Sequence, residues 1–191
     1  MMTFDPFENR RCRDIRNTLS EGFLSALQAH EFGPLEKSLS AIEAATPLDT
    51  VHRQWVEERM GRYHWVLSRP LAAVDQPLAT GALLWDVRLF YECHEWLEEI
   101  WLDLEGDSRK AVQGLIRACG AYVFVEAGRM ETACKSAGKA HALLKEYHHL
   151  LPPFFQASVI MERLAPLDPV APWLNFCPTG FGGEDRQGGW I

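Results

Sequence analysis

The chain predicts an all-α fold, a compact helical bundle, on three observations. Apolar residues recur at spacings of three and four through most of its length. Glycine and proline punctuate those stretches, as at Gly33-Pro34, Glu105-Gly106 and Pro152-Pro153. With 191 residues, 47% of them hydrophobic, the chain is also long enough to bury a real core.

In order, Ile15, Leu19, Phe23 and Leu27 share one face of a first helix, with Ala26 beside them. Pro34 can open a second, bearing Leu35, Leu39 and Ile42, because a first turn has no use for its missing N–H. A third follows Pro47: Val51, Trp55, Tyr63, Val66 and Leu67 form its apolar side, and Arg53, Glu57, Glu58, Arg59 and Arg62 its polar side. The run from Ser68 to Gly81 holds two prolines and no clear period, and reads as a linker. Residues 1–81 are therefore expected to form an amino-terminal helical extension that packs on a core.

That core, residues 82–151, is expected to hold three helices. The first reads as one long helix from Leu84 to Leu104, ended by Gly106 in a left-handed cap. Asp107 or Ser108 should cap the second, which places Val112, Leu115, Ile116, Cys119 and Tyr122 on one face and ends at Gly128. The third sets Ala133, Ala137, Ala140, Leu144 and Tyr147 in a row and stops at Pro152-Pro153. Short turns make these neighbours antiparallel. Residues 152–191 read as an extended strap docked through Trp173 and Phe176, followed by a glycine-rich mobile tail.

Composition excludes several classes of function. A net charge of −7 without a Lys/Arg run offers no footprint for nucleic acid or an anionic membrane. Five scattered cysteines and no CxxC pair fit a reducing compartment, and no segment has the length of a signal peptide core or a membrane span, so the expected location is cytoplasmic. GxGxxG, GxxxxGK[ST] and GxSxG are all absent.

The residues that stand out are His94 and Glu98, one helical turn apart at the edge of the apolar stripe. An imidazole and a carboxylate at that spacing can ligate one divalent cation, with Glu126, His141 and His148 on facing helices as further donors. Zinc, iron or manganese suits such a mixed set. The alternative is architectural: a buried histidine donating to a buried glutamate fixes helix register without further function. Glu95 lies well round from the stripe and is a candidate base; Tyr91 and Trp101 flank the pair. Arg109, in a first turn that disfavours cations, is a candidate partner for Glu98, Glu105 or an anionic ligand. Trp96 points to the polar side with Glu92, Glu99 and Asp103, and should need cover from the extension or from a second subunit of a homodimer.

The run LFYECHEWLEEIW, then QGLIRACGAY, then AGRMETA, from about Leu83 to Leu144, resembles DUF309, a family of small helical proteins of unknown function. Its shared pattern is a histidine, three residues, a glutamate, two residues, then tryptophan or tyrosine, met here by His94, Glu98 and Trp101. Phe90-Tyr91, Glu95, Arg109 and Gly114-Leu115-Ile116 fit the surrounding pattern. The chain departs from it at Arg117, Phe124 and Arg129, where family members often carry Gln, His and Asn. The resemblance implies an all-helical fold and a metal-binding or other functional role for the His/Glu pair.

Two functions follow as expectations. One is a binding or scaffold module for a small molecule or a protein partner, in which His94→Ala mainly costs stability, about 1–3 kcal/mol if a buried carboxylate is orphaned. The other is a metal-dependent enzyme, a hydrolase, with His94 and Glu98 as ligands and Glu95 as base.

Overall fold

The computed structural model describes residues 4–68 and 77–176. Among them are eight α-helices, and no strand. The fold is all-α, as the periodicity predicts. None of these helices is long and apolar enough to cross a membrane. The chain divides into two units, Met1–Ala72 and Ala73–Ile191.

The first unit consists of α1 (Arg10–Ala29), α2 (Gly33–Ala45) and α3 (Thr50–Leu67). Asn9 caps α1, and Ile15, Leu19, Phe23, Ala26 and Leu27 are buried along it. Pro34 stands in the first turn of α2, whose Leu35 and Ile42 are buried. Phe23 of α1 stacks on Tyr63 of α3 with ring centroids 4.1 Å apart. Arg59 and Arg62, expected on the polar side of α3, are buried instead: Arg59 lies over the Trp55 ring and Arg62 pairs with Glu58. Aromatic faces and a carboxylate accept guanidinium groups that a simple polar-face count leaves in water.

The second unit opens with α4 (Pro77–Asp86), so the last part of the expected linker is helical; its residues 69–76 lie outside the described residues. Every residue of α4 from Ala79 to Asp86 is buried. The helix expected over Leu84–Leu104 is two helices, α4 and α5 (Phe90–Leu102), separated at Val87–Leu89. Leu89 N–H donates to Leu84 O and Arg88 N–H to Trp85 O, the paired bonds of a Schellman stop. Its left-handed position, at φ 59, is held by Arg88 where glycine is usual.

Next come α6 (Gly106–Glu126), α7 (Met130–Tyr147) and α8 (Ala157–Leu164), with 3₁₀ turns at His148–Leu150 and Pro153–Phe155. Gly106, at φ 60, opens α6; the residue before it is Glu105, and no side chain caps that end. Gly128, at φ 69, closes α6 as expected. Short connections set α5, α6 and α7 side by side around Leu97, Leu115, Cys119, Ala133, Ala137, Ala140 and Leu144, all buried. Trp85, Phe90 and Tyr122 form an aromatic cluster with centroids 5.2–5.4 Å apart. In a buried thiol chain, Cys119 donates to Cys93 at 3.3 Å and Cys93 to Gly81 O at 3.2 Å.

The strap docks where the break is. The buried Asp86 carboxylate accepts from the backbone N–H of Leu174 and of Phe176, each at 2.7 Å. Trp85 Nε1 and Arg88 donate to Pro172 O at 2.9 and 3.2 Å. Trp173 lies under the Arg88 guanidinium at 4.1 Å, and Phe176 packs against Phe154. The glycine-rich tail from residue 177 onward lies outside the described residues.

Candidate functional site

The site is built on one turn of α5. Helical spacing puts His94 and Glu98 on the same side, and the flexible Glu95 side chain swings back to join them. His94 Nδ1 lies 3.5 Å from Glu95 Oε1 and 3.9 Å from Glu98 Oε2. One ligand atom from each of the three residues falls within 4.8 Å of the others. The His94 side chain is 27% exposed, those of Glu95 and Glu98 39% and 50%, so the cluster is a shelf open to water on its carboxylate side.

His94 Nδ1 itself is shut away from solvent and has no hydrogen-bond partner. Neither carboxylate makes a hydrogen bond to it, Glu95 standing at the outer limit of reach and Glu98 beyond it. A buried nitrogen in that condition is costly unless something comes between. The other edge of the ring faces α6, where a Cβ built on Gly120 would stand 3.7 Å from His94 Cδ2.

The other residues expected at the site divide. Tyr91 is half-buried on α5 and does not enter the cluster. Trp101 is half-buried, and Arg109 lies flat over its ring at 3.7 Å while donating to Leu104 O at 3.3 Å. The guanidinium therefore engages an aromatic face and a backbone carbonyl rather than Glu98 or Glu105. Glu126 is exposed, not within the apolar stripe, and His141 is half-buried. His148 is exposed, its Nδ1 2.9 Å from Leu144 O at the end of α7. Among the described residues, the cluster of potential ligand atoms comprises His94, Glu95 and Glu98 without these three.

Trp96 is half-buried, and its Nε1 donates to Pro77 O at the start of α4 at 2.7 Å. Glu92, expected beside it on the polar side, is fully buried. Both differences come from the break at Arg88, which brings α4 back against α5 and covers a face that one continuous helix would leave in water.

Sequence reasoning missed the part played by Asp86, which lay within the supposed long helix with no mark of a docking residue. The one available signal was its position between Trp85 and Arg88, which both reach the same strap carbonyl.

No curated protein and no solved structure matches the chain. The model of DUF309, described as a domain of unknown function, does match, over residues 78–135, from the start of α4 into α7. That span includes the α4–α5 break, the His94 cluster, the Trp101–Arg109 stack and the Gly114-Leu115-Ile116 run, so the similarity to the DUF309 domain covers this segment of the chain.

Proposed function

We propose that the protein is a binding module whose ligand is a divalent metal ion held by His94, Glu95 and Glu98. The observation that carries this reading is the orphaned, solvent-shielded Nδ1 of His94, facing two carboxylates at 3.5 and 3.9 Å. Donors on one ion at bond lengths near 2.1 Å are separated by about 3.4 Å in a tetrahedral shell, close to this spacing. One neutral imidazole and two carboxylates carry the charge that balances a divalent cation, and the mixed N/O set suits zinc, manganese or iron. The exposed carboxylate side leaves room for water to complete the shell.

A second reading rests on that same open side. A metal-bound water there would be a nucleophile at neutral pH, as in a hydrolase. Glu95, the shorter of the two reaches to His94, would then serve as base in place of ligand.

The test is the metal content of untagged protein by elemental mass spectrometry, after purification without chelator and after incubation with zinc, manganese or ferrous ion. Near-stoichiometric metal, lost in His94→Ala and reduced in Glu98→Gln while both variants stay folded, is the expected result. Absence of metal from the wild-type protein under every condition overturns the proposal. Because the Glu98 side chain is half exposed, His94→Ala leaves no buried carboxylate behind, and the stability cost expected of an architectural pair falls away.

A further inference from the structure

A second constellation lies in the first unit, outside the matched domain. Asn9 Oδ1 caps α1 by accepting from the backbone N–H of Arg11 and of Cys12 at 2.9 and 3.2 Å. Cys12 thus stands in a first turn, where the positive helix pole favours negative charge developing on sulfur. Asp49 does the same for α3: its Oδ1 accepts from the His52 backbone N–H at 3.0 Å and stands 2.7 Å from Nδ1 of the same residue. Nδ1 makes no hydrogen bond along that line, but the negative charge of a carboxylate this close favours the ring proton on Nδ1. Nε2 is then left as an acceptor, 3.5 Å from Cys12 Sγ. Thiol, imidazole and carboxylate stand in the order of a nucleophile, its base and the group that orients the base.

We propose that Cys12 is an acyl-accepting thiol, with His52 as its base and Asp49 as a positioning residue, and that it takes acyl groups from thioesters or activated esters. As sulfur adds to the acyl carbon, the thiol proton passes to His52 Nε2. The bond from that carbon to the leaving group then breaks, and the leaving thiolate or alkoxide collects the proton from His52. The products are S-acylated Cys12 and a free thiol or alcohol, with no change of oxidation state.

Burial decides between this chemistry and simple thiolate reactivity. Cys12 and His52 are each 1% exposed. Burial, with the charges of Asp5 and Asp49, pushes the Cys12 thiol above its ordinary value. Oxidation and alkylation want a standing thiolate, whereas carbonyl addition with a base in contact draws the proton off during attack. Phe4 and Asp5, ahead of α1, stand beside the pair. Phe4 stacks on Trp55 at 4.0 Å and meets His52 edge-on at 5.9 Å, and Asp5 Oδ1 accepts from Phe7 N–H at 2.8 Å. Arg13 also holds this end, donating to Pro6 O and Phe7 O at 3.0 and 3.3 Å, so the acyl donor enters by a local opening that breaks those contacts.

The experiment treats full-length protein with p-nitrophenyl acetate and maps acetylation at each cysteine, with exposed Cys134 as internal reference. Phe4→Ala is expected to speed acetylation of Cys12 about tenfold, and His52→Gln in that background to slow it at least about tenfold, the scale of a lost general base. Asp49→Asn keeps a side chain that caps α3 as well as aspartate does, and is expected to slow Cys12 several-fold with unchanged circular dichroism. Cys134 should hold its rate throughout. Cys12 left unmodified in Phe4→Ala, or modified at the same rate with and without His52, overturns the proposal. Should His52→Gln unfold, Asp49→Asn decides, and an unchanged rate there overturns it too.

Discussion

The His94 imidazole rests against Gly120: a methyl group built on that glycine would stand 3.7 Å from His94 Cδ2 and 4.0 Å from Nε2. Both are ordinary contact distances, and Gly120 sits in mid-helix with no need of glycine's freedom. Gly120→Ala should therefore stabilise the protein by about 0.5–1 kcal/mol, the usual gain in a helix interior. Gly114, six residues earlier on α6, should behave oppositely. A Cβ there would meet Leu144 Cδ2 at 2.9 Å and Leu143 Cβ at 3.3 Å, so Gly114→Ala should destabilise by about 1–3 kcal/mol through overpacking. Urea denaturation of the two variants tests this, and the same sign for both would contradict the packing described.

The difference between those glycines was legible only in part. Periodicity located the helices and most of their buried rows, because burying one face of a 3.6-residue repeat leaves a regular trace. The family-like run and the His94/Glu98 pair were legible for the same reason, since the spacing puts them on one side of one turn. The break at Arg88 was not, because a left-handed position usually announces itself by glycine. Here arginine occupies it, and its hydrogen bond to Pro172 O and its stack on Trp173 compensate for the strain. Those partners lie more than 80 residues away in sequence, beyond any local pattern. Glu95 was placed on a solvated face for a related reason: helical angle fixes Cβ, not where a three-torsion side chain ends.

Asp86 should be the most sensitive polar residue of the second unit. Its carboxylate is buried and accepts two strap N–H groups, and an amide can accept at one oxygen only. In Asp86→Asn one strap N–H would face an NH₂ donor. The expected loss is about 1–3 kcal/mol, the cost of a buried unsatisfied group, together with faster proteolysis at residues 170–176. Equal stability and equal cleavage would mean that the strap is held by its apolar contacts alone.

Tyr122 predicts a pH effect of definite sign. Its ring is 1% exposed between Trp85 and Phe90, its hydroxyl has no partner, and burial pushes the phenol from 10.0 up to about 12. The folded state thus keeps this proton where the unfolded chain gives it up. Tyr122 contributes its full stabilisation below pH 10 and loses it progressively as pH rises towards 12. Tyr122 should ionise late in an absorbance titration, and Tyr122→Phe should remove its contribution. The same substitution deletes an unpaired buried hydroxyl without touching the ring, so neutral-pH stability should be unchanged or higher by as much as about 1 kcal/mol. A late absorbance change of undiminished size in the variant would assign the shift elsewhere.

Arg109 and Trp101 can be separated from the metal cluster by the same style of test. The guanidinium lies 3.7 Å from the Trp101 ring centroid in a half-buried position, where a cation–π contact contributes about 0.5–1 kcal/mol or somewhat more. A double-mutant cycle between Arg109→Ala and Trp101→Leu should return a coupling of that size. Arg109→Lys should retain little of it, because an ammonium cannot lie flat on the ring. Metal content should stay at the wild-type level in all three variants, since neither residue belongs to the His94, Glu95 and Glu98 cluster. Loss of metal on removing Arg109 alone, with stability intact, would instead make the guanidinium part of the ligand's binding site and call for an anion bound beside the cation.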